Sequence, residues 1–458
     1  MTDFFLLIFN SFFNKLILLL LDHINVKVLP IPTMNRRSFI NISTIVASSA
    51  MFMGFSPYAS KKNVFENQNH DDEFSSTMDN ITPITLEERK KRIQKAQQLM
   101  QQESIDCLLL DSGTSMRYFT GISWGSSERP MIAIIPSKGD VRYICPNFEE
   151  NRLKQQISIG HQIFTWEEDE SPYKQAVLAI NDAGVSSGNI AIEERMRFFI
   201  FNGIKKEAPE LNFVSGDPIT IPCRLIKSEA EIALMQKATD ITLKAIAIGF
   251  ENLKEGSSPS DFSKAVAAAH QKLGGRHQFA LCNFAEASAF PHGSSQPQIL
   301  KKGDIVLVDC GCTVEGYQSD ISRTIVFGAK PTPRQIEIWN LEKRAQAAGF
   351  KAAQLGAPLK NVDAAARKIL TDAGFGPDYK LPGLPHRTGH GIGMDGHEWG
   401  NAVKGNDLIL APGMCFSIEP NISIVGEFGV RLEDCVYMTT NGPKWFSQPS
   451  PSIDRPFA

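Results

Sequence analysis

Residues 386–400 read HRTGHGIGMDGHEWG. The chain holds nine histidines, and three of them, His386, His390 and His397, fall within twelve of these positions. Gly389, Gly391, Gly393 and Gly396 are interleaved with them. A helical zinc motif also sets two histidines four residues apart. Here, however, the glycines would make a helix cost roughly 1 kcal/mol each relative to alanine. A strand or tight turn in which the backbone closely approaches a neighbour fits better. On a strand, positions 386 and 390 share a face, and both rings can then point into one cleft. Taken alone, the cluster is also what a solvated, histidine-bearing loop would show.

The strand-like runs around it supply acidic side chains. They are DIVLVDCGC (304–312), RTIVFG (323–328), MCFSIEPNISIV (414–425) and GVRLEDCVYM (429–438). Asp309 follows IVLV, Asp320 sits in GYQSDISRT, Glu419 in FSIEP and Glu433 in VRLED. Each lies in, or ends, a run that ought to be buried. An ionised carboxylate taken out of water without a partner costs several kcal/mol or more. A salt bridge or an exposed strand end would satisfy any one of them. Four beside a histidine cluster point instead to cations, since two divalent ions neutralise four carboxylates. Oxygen-rich ligation with one imidazole suits Mn(II), Co(II), Fe(II) or Zn(II). A pair of such ions polarises a carbonyl and generates hydroxide near neutral pH. The expectation is a dinuclear hydrolase.

Composition is consistent with an enzyme of ordinary globular type. The 458 residues exceed one ordinary domain and suggest two or three. Hydrophobic residues make up 42% and charged residues 21%, enough for a sizeable core. A net charge of −3 argues against a nucleic-acid partner, which would call for a basic face. Eight cysteines, at 107, 145, 223, 282, 310, 312, 415 and 435, include no CxxC pair. Most lie in apolar runs, where a free thiol behaves as a small hydrophobe, so no disulfide framework is expected.

Two folded units are expected. Thr85 and Glu88 mark a capping box for a helix to about Gln102. The apolar runs CLLLD, MIAIIP, VRYIC, QIFTW and NIAIE follow, with SKGD joining the second and third as a hairpin. This is an α/β unit over 84–222 with nothing catalytic in it; Trp124, in a Gly/Ser-rich loop, reads as surface. A second unit, 226–445, opens with a capping box at Ser228 and Glu231. Helices follow over Asp261–Leu273 and from Thr332-Pro333, where proline takes the first helical position. Helices packed on one curved sheet give an α+β arrangement, with residues 446–458 as a tail.

The N-terminus is read as separate from both. Residues 34–60 place Arg36-Arg37 and Phe39 before a modestly apolar run and then small residues, the layout of a twin-arginine export signal. Upstream, FFLLIFNSFFNKLILLLL is apolar but interrupted by Asn10, Asn14 and Lys15, near the lower limit for a bilayer span. Two such segments in a row are odd, and the simplest expectation is that translation starts at Met34, without residues 1–33. Residues 1–60 are thus an export region leading through a translocon to the periplasm; the alternative is an uncleaved membrane anchor. The polar, acidic stretch 61–83 is expected to be a disordered linker.

Asp309, Asp320, His390, Glu419 and Glu433, in that order and in those contexts, resemble the metal-binding set of the pita-bread metallopeptidases. That family includes methionine aminopeptidase, Xaa-Pro aminopeptidase, prolidase and creatinase. The phrases DCGC…GYQSDISRT, HRTGHGIGMDGHE, APGMCFSIEP and EFGVRLEDCVYM are most similar to the Xaa-Pro peptidase branch, as is FPHG with His292. The resemblance spans about residues 85–445 and includes a creatinase-type N-terminal domain, which methionine aminopeptidases usually lack. It implies a pita-bread catalytic domain and a dinuclear exopeptidase acting on Xaa-Pro peptides or dipeptides by attack of a metal-bridging hydroxide.

By the same resemblance, Asp309 holds one metal, Asp320 and Glu433 bridge two, and His390 and Glu419 complete the second. Manganese is the first expectation, with cobalt, zinc or iron as alternatives. Glu419 would also take a proton, while His292 and His397 would steady the tetrahedral intermediate. His386 and Arg431 would be the substrate-binding residues, Arg431 also keeping the carboxylates in register. A homodimer is expected. Creatinase works on this fold without metal, as an amidinohydrolase, and some relatives only bind; both would be expected to lack part of the ligand set, which is complete here.

Signal and metal are linked. An oxygen-rich site prefers Cu(II) or Zn(II) to Mn(II) on affinity alone, so folding and metal loading before export would protect it. Changing both Arg36 and Arg37 to lysine should stop the mature form, beginning near Ser60 or Lys61, from crossing the inner membrane. Cell fractionation checks this, and undiminished export would refute the twin-arginine reading.

Overall fold

The computed structural model describes residues 81–457. The expected export region and nearly all of the expected linker lie outside the described residues. Among the described residues, no helix is long and apolar enough to cross a membrane.

The chain opens with α1 (Leu86–Gln102), β1 (Cys107–Asp111) and α2 (Thr114–Thr120), then β2 (Ile132–Pro136) and β3 (Arg142–Pro146). Next come α3 (Glu150–Lys154), β4 (Gln162–Trp166), α4 (Pro172–Asp182), β5 (Asn189–Ile192), α5 (Phe198–Glu207) and β6 (Asn212–Ser215). These strands form one six-stranded sheet in the order β4-β3-β2-β1-β5-β6. The β1–β2 and β2–β3 pairs are antiparallel and the outer pairs parallel. The runs β1 and β2 are buried throughout, as strands covered on both faces should be. The edge strand β6 was not expected, because NFVS carries no apolar run and its ends are exposed.

The α1 cap differs from expectation in one respect. Thr85 Oγ1 does accept from Glu88 N, at 3.1 Å. The Glu88 carboxylate, however, does not return to the cap: it takes Arg92 at 2.8 Å and Ser228 Oγ at 2.7 Å. Two stronger donors outcompete one backbone N–H, and the contact ties α1 to the start of the second unit. The helix α6 (Asp217–Leu225) runs through the expected boundary at 222.

The second unit begins with α7 (Glu229–Asn252), capped by the Ser228–Glu231 box, and α8 (Pro259–Lys272), capped by Ser258 and Asp261. It continues with β7 (Arg276–Phe284), β8 (Ile305–Val314), β9 (Tyr317–Gln318) and β10 (Ile321–Val326). Then follow α9 (Pro333–Ala352), with its Thr332–Gln335 capping box, and α10 (Lys360–Asp372). The last elements are β11 (Gly389–Gly391), β12 (Glu398–Ala402), β13 (Cys415–Ile418), β14 (Asn421–Ile424), β15 (Phe428–Arg431), β16 (Asp434–Thr439) and β17 (Gly442–Trp445).

The one curved sheet expected here is built of three segments. They are β10-β8-β7 with β9 on β8, the five-stranded β12-β11-β13-β16-β17, and the ribbon β14-β15. An isolated bridge between Ser322 and Glu433 joins the first segment to the crossover between the other two. Helices α9 and α10 cover the outer face through Ile338, Trp339, Ala345, Ala366 and Leu370, packed on Ile422, Val430 and Leu432. The residues expected as a tail are anchored on the sheet, since Arg323 donates to Pro456 O at 3.0 Å. All eight cysteines are free and buried.

Just after β5 and against the end of β1, Glu193 is 5% exposed and accepts from Asp111 N at 2.8 Å. Burial pushes its carboxyl from 4.5 up to about 7, against the opposing pull of hydrogen bonds from Ser115 and Asp111. The folded state therefore holds this proton more tightly than the unfolded one. The associated stability is complete below about pH 4.5 and fades as pH rises through about 7. Glu193→Gln removes the effect, so urea unfolding should show the variant gaining on the wild type between pH 5 and pH 8, by roughly 3 kcal/mol at most. A difference that does not change with pH would refute this.

Candidate metal centre

Asp309 lies on β8 and Asp320 just before β10, and the β8–β10 pairing sets Asp309 opposite Ser322. The run MCFSIEPNISIV breaks at Glu419-Pro420, where the chain leaves β13 for the ribbon strand β14. The run GVRLEDCVYM breaks at Leu432-Glu433, where it returns from β15 to β16. Both glutamates thus sit at the same crossover between sheets. Pro420 has no N–H to give a ladder and helps end the strand there.

These residues converge. One oxygen from each of Asp309, Asp320 and Glu433 lies within 4.8 Å of the others, and His390, Glu419 and Glu433 form a second such group. His390 Nε2 is 3.2 Å from Glu419 Oε1, 3.6 Å from Asp320 Oδ2 and 3.9 Å from Glu433 Oε1. Its other nitrogen, Nδ1, is 3.1 Å from Gly391 O, which fixes the ring and turns Nε2 toward the carboxylates. Ser417 Oγ accepts from His390 N at 3.0 Å and donates to Glu419 Oε1 at 3.2 Å.

The interleaved glycines have a steric cause. A methyl group added at Gly389 would strike Ser417 O, and one at Gly391 would strike Trp399 O. The backbone of β11 is pressed between β12 and β13, and only hydrogen fits at both positions. The strand is shorter than expected, and His386 lies before it. It is held by α10, a helix absent from the sequence-based reading: Arg367 donates to His386 O, and Asp363 accepts from Thr388 N at 3.2 Å and Thr388 Oγ1 at 2.7 Å. Val362, Ala366 and Leu370, buried at a spacing of four, were the signal that could have shown α10.

Arg431, expected to bind substrate and to keep the carboxylates in register, is 2% exposed, and each of its nitrogens is engaged within the protein. Nη2 donates to Asp309 Oδ2 at 2.7 Å, Nε to Ser322 Oγ at 2.8 Å and Nη1 to Pro291 O at 3.1 Å. Ser322 Oγ passes the bracing on to Glu433 Oε2 at 2.8 Å. Arg323, fully buried, donates to Glu433 O at 2.9 Å and pairs with Asp434 at 2.8 Å. The sequence-based reading missed this second arginine.

His397 is exposed, with its ring centroid 4.1 Å from that of His390. Partial burial, then His390 and Arg387, push its imidazole down to about 4. His386 is also pushed down, mainly by burial; Glu419 opposes this and the nearby Arg431 and His292 add to it. Its Nδ1 is 2.7 Å from Arg387 O, while the buried Nε2 has no partner. His292 is exposed, in the loop before β8.

The carboxylates themselves test whether cations fit. Burial first, and the neighbouring acids second, push Asp320 and Glu433 well above the usual carboxylate range. Burial also opposes ionisation of Glu419, but His390, His386 and Arg431 outweigh it and hold the group at about 2. Asp309 Oδ1, Asp320 Oδ1 and Glu433 Oε1 are buried with no hydrogen-bond partner. Buried orphan acceptors of one sign, facing a common point, are what divalent cations would satisfy.

Comparison with known proteins agrees with this chemistry. Metallopeptidase family M24 matches residues 233–440, and the creatinase/prolidase N-terminal domain matches residues 92–226. An Xaa-Pro dipeptidase of Lactobacillus delbrueckii subsp. lactis is 31% identical over 366 residues, covering 79% of this chain and 98% of its own. An Xaa-Pro dipeptidase of Pyrococcus horikoshii is 30% identical, covering 77% of this chain and 96% of its own. The crystal structure of a prolidase from Thermococcus sibiricus matches with a TM-score of 0.73 at 30% identity, over 79% of this chain and 97% of that one.

Asp320→Ala or Glu433→Ala should abolish divalent-metal uptake, measured by elemental analysis after dialysis against Mn(II) or Zn(II), and activity with it. Two metals per chain and near-normal turnover in either variant would refute the ligand assignment.

Proposed function

The chain belongs to metallopeptidase family M24, the pita-bread peptidases, and on that premise we propose that it hydrolyses the Xaa-Pro bond of dipeptides or at the N-terminus of short peptides. The observation that carries this is the meeting of Asp309, Asp320, His390, Glu419 and Glu433 around buried, unpartnered oxygens. Relatives named Xaa-Pro dipeptidase, alike over nearly their whole length, supply the substrate class.

Asp309, Asp320 and Glu433 would hold one cation, and His390, Glu419 and the same bridging pair the other; the oxygen-rich set suits Mn(II), with Co(II), Zn(II) or Fe(II) as substitutes. Bound there, two divalent cations polarise a carbonyl and make water acidic near neutral pH. The protein's own groups do the rest. Glu419, whose Oε1 lies 3.2 Å from His390 Nε2, is the carboxylate that would accept a proton. His397, kept neutral, offers one N–H and one lone pair beside His390. The unpartnered His386 Nε2 is free for a substrate polar group. His292 serves from the loop whose Pro291 carbonyl Arg431 grips.

The test is hydrolysis of Xaa-Pro dipeptides and longer Xaa-Pro peptides with Mn(II), Co(II) and Zn(II) added in turn. Loss of His292 or His397 to alanine should leave metal content nearly intact and lower turnover by roughly 10²-fold or more, as for one lost transition-state donor. If either change empties the site of metal, that histidine is a ligand. If no Xaa-Pro peptide is cleaved by the metal-loaded wild type, the proposal fails.

A further inference from the structure

No hydrogen bond holds the His397 ring among the described residues, so its place over His390 depends on the backbone of its turn. That turn is gripped from outside the catalytic domain. Asp395, two residues before His397, accepts from Thr114 Oγ1 at 2.7 Å and pairs with Arg195 Nη1 at 3.0 Å and Arg224 Nη2 at 2.6 Å. Thr114 opens α2, Arg195 follows β5 and Arg224 lies near the end of α6, all within the creatinase/prolidase N-terminal domain at 92–226.

The grip extends along the turn. Arg195 Nη2 donates to His397 O at 3.4 Å, and Trp399 Nε1 donates to Glu194 Oε2 at 3.0 Å. Glu398 is buried between Arg224 at 2.5 Å and Lys227 at 2.8 Å. Its Oε1 also accepts from Met394 N at 3.0 Å and Asp395 N at 3.2 Å, closing the turn on itself. Gly393 permits this, since a Cβ there would lie 2.6 Å from Glu398 Oε2. On the inner side, Gln318 N donates to Gly393 O at 2.8 Å.

We propose that the N-terminal domain sets the working position of His397, and that Arg195 is a positioning residue acting through this histidine; the role given to His397 rests on the peptidase reading above. Arg224, Lys227 and Glu398 form a buried ionic core whose loss would unsettle the whole junction. Arg195 is different. Its side chain is 51% exposed, and its planar fork spans the Asp395 carboxylate and the His397 carbonyl together. Removing it releases the His397 carbonyl and one partner of Asp395, and leaves the core intact. A group displaced by about 1 Å can cost up to roughly 10²-fold in rate.

The experiment is a double-mutant cycle on the full chain loaded with Mn(II), assayed on an Xaa-Pro dipeptide. Arg195→Ala should lower kcat by about ten- to a hundredfold with metal content unchanged and thermal unfolding within a few degrees of wild type. In a His397→Ala background it should cost less than about twofold, because the histidine it acts through is gone. Arg195→Lys, keeping charge but not the fork, should recover part of the loss. A silent Arg195→Ala, or an equal factor in both backgrounds, would overturn the proposal.

A second readout needs neither metal nor turnover. In metal-free protein at one pH, the His397 Cε1–H resonance, identified by its loss in His397→Ala, should move in Arg195→Ala while the signals of histidines distant from the turn stay in place. An unmoved resonance overturns the proposal as well. Failure of the wild type to cleave any Xaa-Pro peptide would instead strike the peptidase reading, and the resonance would still decide on positioning.

Discussion

Four acidic side chains share one buried volume, and the rest of the catalytic domain is arranged around their mutual repulsion. Two like charges about 4 Å apart repel by roughly 4 kcal/mol at a protein-like dielectric, and each also loses its hydration. The protein offsets part of this with Arg431 on Asp309 and Ser322 on Glu433. It does not offset all of it, since three carboxylate oxygens stay buried without a donor. A fold that kept such a cluster only for stability would do better with apolar side chains of similar volume. The cluster makes physical sense as a cation site, and the braces make sense as the means of holding acids close before any cation arrives.

The topology explains how acids so far apart in sequence meet. A strand alternates its side chains between two faces, so a continuous ladder would place neighbouring groups at fixed, widely spaced heights. Breaking two strands at the same level frees both glutamates from that alternation. Glu419 follows β13 and Glu433 precedes β16, and these strands are paired, with Ile418 opposite Asp434. The ladder therefore sets the two breaks side by side. The close packing of β11 between β12 and β13 then brings His390 to Glu419, at the cost of allowing no side chain at Gly389 and Gly391.

Much of this was legible in the sequence because it is written in local patterns. Capping residues marked the starts of α7 and α9, and acids inside apolar runs marked the site. What escaped depends on partners distant in sequence. Glu88 looked like the second half of a cap, yet Arg92 and Ser228 claim it. Arg323 sits in a run that reads as an ordinary strand, and only the tertiary fold shows that it holds the backbone of Glu433. Arg431 was seen both as a substrate contact and as a brace on the carboxylates, but only the fold shows that the carboxylate it grips is Asp309. The edge strand β6 has no apolar signature to find, being exposed at both ends.

Two kinds of order coexist around the site, and they respond to metal differently. The turn carrying His397 is held by ion pairs and hydrogen bonds complete within the protein, Arg224 and Lys227 against Glu398 among them. The acidic cluster is not complete in this sense, because its geometry holds repulsion in place. A ligand that binds only the folded state stabilises it by an amount that grows with the logarithm of its concentration over its dissociation constant. Divalent cations would thus contribute stability where the fold gives it up, along β8, β10 and the crossover of Glu419 and Glu433. The His397 turn and the N-terminal domain behind it would gain little. Substrate-facing groups would then be positioned by the fold itself, and only the ligand cluster would depend on metal supply.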